Sequence, residues 1–407
     1  MAHVLEGVRV IDWTIYQQGP VASMILGDMG ADVIKVEERI GGDPGRGMVR
    51  VAGAMVGEMH QQVQRNPYFE AGNRNKRSLT VDLKKEKARE IVYRLVGKSD
   101  VFIQNFRMGV AERVGMDYET LLRYNSRLIY AHASGWGPKG PDKDDPSADY
   151  AGLARSGIMA LAGEPGMDPV LVQGGIADQS GAVMTAMGVL AALLARDKTG
   201  KGQKVDASIL GSMVFLQGHP MVFCTMANLW GIRIARRAAG NPLWNHYKCA
   251  DDNWIALAHL SPDKFWPLVC RAMELEELEM DPRFDSMEKR TQNCQELISI
   301  LDDTFAKKTR DEWSQLFKEN GIIFAPVNTT LDVTQDLQVL ANDYVTEFNH
   351  PVFGPMRTVG FPIALSETPL SIRREAPEFG QHTEEILTEL LDYTWDDIAQ
   401  LKDEEVI

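Results

Sequence analysis

Asp178 stands in the run Gly174-Gly175-Ile176-Ala177-Asp178-Gln179-Ser180-Gly181, a lone carboxylate at the entrance to a long segment of small and apolar residues. Two chemistries suit a carboxylate there. It can cap a helix by accepting the first free amides, a position Asp favours. It can also be a nucleophile, with bare backbone around it where a bulky acyl group approaches. The positive end of the helix would then hold it ionised, as a nucleophilic carboxylate must be. The local sequence serves both roles.

Other candidate residues gather near the ends of predicted strands. The turn Gln17-Gln18-Gly19-Pro20 follows the first strand, where its amides could face an anion at a helix N-terminus. It is not a G-x-G-x-x-G dinucleotide loop. Asn73-Arg74-Asn75-Lys76-Arg77 places three cations and two amides together just before a strand. Such a run is commonly a solvated charge cluster, and beside an α/β crevice phosphate binding competes with that meaning. Asn105-Phe106-Arg107 lies at the carboxyl end of a strand, with Arg113 following. No H-x-x-x-H pair occurs and no histidine sits beside a cysteine, so no metal site is expected. A G-x-S-x-G elbow is likewise missing.

Composition narrows the class. The 407 residues carry a net charge of −14, from 43 basic and 57 acidic side chains. That balance argues against a nucleic-acid or anionic-membrane surface, which needs a clustered basic footprint. It leaves room for a small polyanion in a local basic pocket. The apolar run Gly181 to Ala195 falls short of the ~20 residues that cross a bilayer. Cys224, Cys249, Cys270 and Cys294 are spaced too widely for a zinc knuckle or a redox pair, and the first residues show no signal core. A cytoplasmic enzyme is expected.

The elements that must position these residues alternate. Val8–Trp13 and Ala31–Val36 read as strands around a helix over Val21–Asp28. Strand-like Leu79–Leu83, Asp100–Gln104 and Leu128–Ala131 then alternate with helical Lys85–Gly97 and Val110–Tyr124. This pattern predicts a doubly wound α/β domain whose ligands sit outside the carboxyl ends of the strands. Asp178–Arg196 reads as one slim helix, stopped by Thr199-Gly200-Lys201-Gly202, and Val205–Ile209 as a further strand. Beyond about Arg233 the texture becomes helical and charged, around helices at Phe265–Glu274 and Thr291–Lys307, with a last helix near Thr383–Leu391. The expected division is 1–234 as a large Rossmann-like domain, 235–330 as a small α+β domain, and 331–407 returning to the first.

In this setting the chain resembles the family III CoA-transferases, the group that includes formyl-CoA and carnitine CoA-transferases. The resemblance runs nearly the full length. It rests on Leu5-Glu6-Gly7-Val8-Arg9-Val10-Ile11-Asp12, Gly19-Pro20, the stretch Leu26 to Glu37, and Gly42-Asp43-Pro44. Asn75-Lys76-Arg77-Ser78, Asn105-Phe106-Arg107, Ser134-Gly135-Trp136-Gly137, Gly140-Pro141, Thr199 to Gln203 and Gly380-Gln381-His382-Thr383 complete it.

The resemblance implies an interlocked, ring-like dimer, or a heteromer with a related subunit, and Asp178 as the catalytic aspartate, with Asp149 assisting. It implies CoA contacts at Gln17, Gln18, Asn73, Arg74, Asn75, Lys76, Asn105, Phe106, Arg107 and Arg113. A coenzyme A thioester is then a substrate, with no tightly bound cofactor, no metal, and neither nucleic acid nor membrane as a partner. Glu38 replaces a CoA-contacting arginine of the formyl enzyme, with Arg39 beside it, and Ala239-Gly240-Asn241 is the nearest match to its glycine-rich flap. An α-methylacyl-CoA racemase shares the fold, but its Gly-His-Asp motif corresponds to Ala148-Asp149 here, without the histidine. His132 lies on a predicted strand, away from that position. A non-catalytic CoA-binding subunit is the other alternative. Met48, Trp136, Met159, Trp244 and Tyr247 are candidates to line a hydrophobic or aryl acid site, and the chain looks nearer to transferases of the benzylsuccinate type than to the formyl or carnitine ones.

Overall fold

The computed structural model describes residues 3–48, 50–51, 54–55, 66–229, 231 and 233–407. They divide into two compact units, Met1–Met159 with Leu171–Trp230 and Asn342–Ile407, and Ala160–Val170 with Gly231–Ala341. The second unit thus takes in residues 160–170, which the sequence reading left in the large domain, and closes at 341 instead of 330.

The first unit runs β1 (Arg9–Trp13), α1 (Gln18–Asp28), β2 (Asp32–Glu38), the short pair β3 (Arg50–Val51) and β4 (Ala54–Met55), α2 (Pro67–Asn73), β5 (Lys76–Val81) and α3 (Glu86–Val96). It continues with β6 (Val101–Gln104), α4 (Val110–Arg113), α5 (Tyr118–Leu122), β7 (Ile129–Ser134), α6 (Asp149–Ser156) and the first half of α7 (Ile158–Leu161). Then follow α8 (Ile176–Thr199), β8 (Gln203–Ser208), α9 (Ile209–Leu216) and α10 (Gly218–Ala227). Six strands form one sheet in the order β5-β2-β1-β6-β7-β8, and every pairing in it is parallel. Strand order reverses between β1 and β6, so the loops after Trp13 and Gln104 flank the switch point where ligands of such sheets bind.

Alternation along β1 explains the layers. Val10 joins α1 and α8 on one face, while Ile11 and Trp13 join α3 and the helices Thr383–Leu391 and Trp395–Asp403 on the other. The amphipathic α3 buries Ala88, Ile91, Val92, Leu95 and Val96, one face of a 3.6-residue period. All of α1 is buried, so both its faces must meet close neighbours. Gly181 of α8 supplies one: a β-carbon there would lie 2.6 Å from the Gln18 carboxamide nitrogen. At 24 residues α8 is long enough to span a bilayer, longer than its apolar run suggested. Its residues Ala182, Ala186, Val189, Ala192 and Leu193 instead lie in the core with α1 and the sheet.

The single helix expected over Val110–Tyr124 is two. Gly115, at φ +70°, ends the first, and the Asp117 carboxylate caps the second by accepting the Thr120 amide. The carboxyl-terminal segment returns to this unit, where Ser78 accepts the His382 amide at 3.0 Å and Val406 the Asp82 amide at 2.9 Å.

The second unit is a three-stranded antiparallel sheet of Trp244–Lys248, Trp254–Ala258 and Phe324–Val327. Helices Pro262–Ala272, Cys294–Phe305 and Arg310–Glu319 cover it. In its core Tyr247 stacks on Phe305, which Trp313 meets at a tilt and Phe317 edge-on.

Gly202 illustrates how closely the first unit is packed. A β-carbon there would collide with the Leu128 carbonyl oxygen, a backbone atom that has no rotamer to escape into. Gly202→Ala is therefore expected to lower unfolding stability by roughly 1–3 kcal/mol, read as a lower urea midpoint; an unchanged midpoint would show that β8 shifts freely.

Candidate active site

Helix α8 begins with two left-handed residues, Gly174 at φ +99° and Gly175 at φ +66°. The helix therefore starts at Ile176, two residues earlier than expected, and Asp178 lies inside its first turn. Asp149, the first residue of α6, performs the capping from outside. Its Oδ1 accepts the Ala177 amide at 2.8 Å and the Asp178 amide at 3.0 Å. Of the two roles open to Asp178 in the sequence, capping therefore falls to Asp149. Its own carboxylate takes no hydrogen bond from any described residue.

That arrangement sets the electrostatics. The charge of Asp149 already answers the positive end of α8, so the helix does not hold Asp178 ionised as the sequence reading supposed. Burial, and then the like charge of Asp149, push the Asp178 carboxyl up to about 7. The phenol of Tyr68 feels the same cluster. Burial and the charges of Asp178, Asp43 and Asp149 keep it protonated well above the usual tyrosine range.

Gln17 and Gln18 meet α8 directly. The Gln17 carboxamide lies on Gly175, whose added β-carbon would fall 2.7 Å from its carboxamide carbon. The buried Gln18 side chain lies along Gly181. Four sequence-predicted contacts behave differently. Asn73, Arg74, Asn75 and Lys76 are buried and turned inward. Arg74 pairs with Asp28 at 2.6 Å. Asn75 donates to Asp28 at 2.7 Å and accepts the Arg373 amide at 2.7 Å. Lys76 donates to Asp12, Pro20 O and Asn73, each at 2.8 Å. The run is not a solvated cluster, because buried carboxylates on β1 and α1 take the charges of Lys76 and Arg74.

Asn105 is also engaged. Its Oδ1 accepts the Ile15 amide at 2.9 Å and its Nδ2 donates to the Ile15 carbonyl at 2.8 Å. Phe106 packs on Trp13 with ring centroids 4.3 Å apart. Together they border a cleft of about 440 Å³ at the carboxyl ends of β1, β2 and β5, walled by Trp13, Ile15, Val36, Leu83, Phe106 and Val110. Glu38 is on its rim, while Arg39 reaches Glu405 at 3.2 Å. Arg107 and Arg113 are exposed. Arg107 borders a second cleft of about 230 Å³ with Gln104, His132 and Lys204.

His132 does not replace the histidine missing at Ala148. It is buried, with one ring nitrogen 2.9 Å from the Phe106 carbonyl and the other 3.6 Å from Asp206. Among the aromatic and methionine candidates, Met159 and Tyr247 are core residues, Met48 and Trp136 are half-buried, and Trp244 is exposed. In the second unit, Asn241 is held by the His259 carbonyl at 2.9 Å and the Leu243 amide at 3.0 Å. Sequence reasoning missed Tyr16, Asp43 and Tyr68, although Asp43 belongs to one of the quoted motifs.

Residues 5–383 match the family model described as CoA-transferase family III. This chain belongs to that family. It is 30% identical over 405 residues to the (R)-2-hydroxy-4-methylpentanoate CoA-transferase of Clostridioides difficile, covering 99% of each chain. It is 32% identical to the succinyl-CoA:glutarate CoA-transferase of Mus musculus, over 96% of this chain and 87% of that one. A crystal structure of a CAIB/BAIF family protein from Brucella suis superposes with a TM-score of 0.84 at 28% identity, covering 96% of this chain and all of the other. The protein is thus an enzyme of the CoA-transferase class that acts on CoA thioesters.

Asp149→Asn removes a charge from the transferase while leaving an amide oxygen to accept the two α8 amides. For a reaction that needs Asp178 ionised, the rate of its acylation rises with pH through about 7. Loss of the like charge lowers the Asp178 pKa, so this limb should move to lower pH in the variant. Burial, the larger cause, keeps it above the ordinary carboxylate range. Single-turnover rates between about pH 5 and 9 measure the shift; an unmoved limb would mean that the two carboxylates are not coupled.

Proposed function

We propose that this transferase moves CoA from an acyl-CoA thioester, such as succinyl-CoA, to a free carboxylic acid, with Asp178 as the nucleophile. The observation that carries the reading is the division of labour at α8. Asp149 caps the helix, which leaves the Asp178 carboxylate without a hydrogen bond among the described residues, near Gly174, where an added β-carbon would meet only the Ile176 side chain at 3.8 Å.

The steps balance as follows. An Asp178 oxygen attacks the thioester carbonyl, the carbon–sulfur bond breaks, and CoA leaves as thiolate, giving a mixed anhydride. The thiolate attacks the aspartyl carbonyl of that anhydride, releasing the donor acid and forming an aspartyl-CoA thioester. The acceptor carboxylate attacks this thioester, expelling the thiolate again and forming a second anhydride. The thiolate then attacks the acceptor acyl carbonyl, and Asp178 is restored as carboxylate. Every intermediate is activated, so the thioester's energy is kept and water must be excluded. The protonated Tyr68 phenol and the Gln17 carboxamide supply neutral donors where negative charge gathers.

For CoA itself, the cleft at the switch point suits the nucleotide end, with Phe106 and Val110 as apolar wall. Arg107 and Arg113 are proposed to meet its phosphates. Asn73, Arg74, Asn75 and Lys76 support that crevice from below, so their side chains are assigned to holding it and not to gripping ligand. A hydrophobic or aryl-substituted acid is the proposed acceptor.

Asp178→Ala should abolish transfer. Hydroxylamine added during turnover should leave an acyl-hydroxamate at Asp178 in the wild type, detected by peptide mass spectrometry. Transfer surviving the substitution would return the protein to a CoA-binding partner role, and transfer with no adduct at this residue would remove the covalent route.

A second copy of the chain is the proposed partner, in an interlocked dimer. Helix α10 has no buried residue, and Phe215 and Met226 are 71% and 83% exposed. Apolar surface on that scale marks an association face. Phe215→Glu with Met226→Lys should shift the protein from dimer to monomer in sedimentation velocity, whereas an unchanged dimer would place the interface elsewhere.

A further inference from the structure

The loop between β1 and α1 holds a strained residue. Tyr16 has φ +64°, the left-handed region that bulky L-residues rarely enter. Such a conformation persists only where the surroundings over-determine it. The Tyr16 side chain is 44% exposed, so burial of the phenol does not hold the backbone there.

Three side chains do, one from β2, one from the loop beyond it and one from the loop after β6. Lys35 Nζ, from β2, donates to the Thr14 carbonyl at 2.9 Å. Asn105, just past β6, grips both sides of Ile15, accepting its amide and donating to its carbonyl. Asp43 Oδ1 accepts the Tyr16 amide at 3.0 Å and the Gly45 amide at 2.8 Å, while its Oδ2 pairs with Lys35 at 2.8 Å. Thr14, Ile15 and Tyr16 are thereby pinned one after another. The next residue is Gln17, whose carboxamide lies on Gly175 at the turn into α8.

We propose that Asn105 and Asp43 are positioning residues of the transfer reaction. They hold Tyr16 left-handed so that Gln17 stays pressed on the Gly175 turn and Asp178 keeps its presentation. The inference rests on the reading of Asp178 as nucleophile. It also reassigns Asn105, from a contact with CoA to a clamp on the loop, since both ends of its carboxamide engage Ile15.

The test is a rescue. Asn105→Ala should lower kcat and the rate of hydroxamate formation at Asp178 by about 10- to 100-fold, with the acyl-CoA KM changed less than about twofold. Glycine adopts positive φ without strain. Adding Tyr16→Gly should therefore restore about tenfold of the loss. Adding Tyr16→Ala, which also removes the ring but not the strain, should restore none. Should Asn105→Ala fail to fold by circular dichroism, Asn105→Asp keeps the acceptor for the Ile15 amide, loses the donor, and should show the same selective rescue. A raised acyl-CoA KM with unchanged kcat, or equal effects of Gly and Ala, overturns the inference and leaves Asn105 as a ligand contact. A wild-type enzyme that forms no adduct at Asp178 overturns the nucleophile reading instead, so the two failures are separable.

Discussion

The carboxylate of Asp12 is the interaction on which the crevice depends. It is fully buried at the carboxyl end of β1, where an unpaired charge is strongly disfavoured. Burial pushes its pKa up, but Lys35 and Lys76 outweigh that and hold it below the usual carboxylate range. Lys76 lies at 2.8 Å and Lys35 at 3.9 Å, and Ser23 of α1 donates at 2.7 Å. One side chain thus ties β1, β2, β5 and the first crossover helix together. Removing either partner of such a cluster would strand a buried charge, which costs several kcal/mol.

The same network reaches the active-site loop. Lys35 joins Asp12 to Asp43 and to the Thr14 carbonyl, so the charges that lock the sheet also fix the backbone leading to Gln17. Glu37 and Arg46 extend it outward, paired at 2.7 Å. A parallel sheet leaves its strand ends as loops with unsatisfied backbone groups. Here those groups are met by side chains of β2 and of the loops after β2 and β6, contacts that restrict the backbone at the crevice. Rigid placement of reacting groups is a large part of what a site contributes to rate.

Much of the fold was legible because it rests on local periodicity. The alternation around β1, α1, β2, α3 and β6 places each element within a few residues of its observed span, and Thr383–Leu391 forms a helix at the expected bounds. Helix Val110–Tyr124 was misread as continuous because apolar spacing carries across Gly115, whose left-handed backbone breaks it. The burial of the cluster at Asn73 to Lys76 is hidden from the sequence for a different reason. Its composition is that of a surface or a phosphate site, and the carboxylates that neutralise it, Asp12 and Asp28, lie tens of residues away in the chain.

The sequence alone determined the alternating strands and helices, the family, and the aspartate at the head of a slim helix, because all three are written in short-range order of residue types. Only the tertiary structure decided which aspartate caps that helix, which cations remain exposed, and which amide clamps a loop. Those outcomes depend on partners brought together by folding, and on burial that turns a modest pairing into a decisive one.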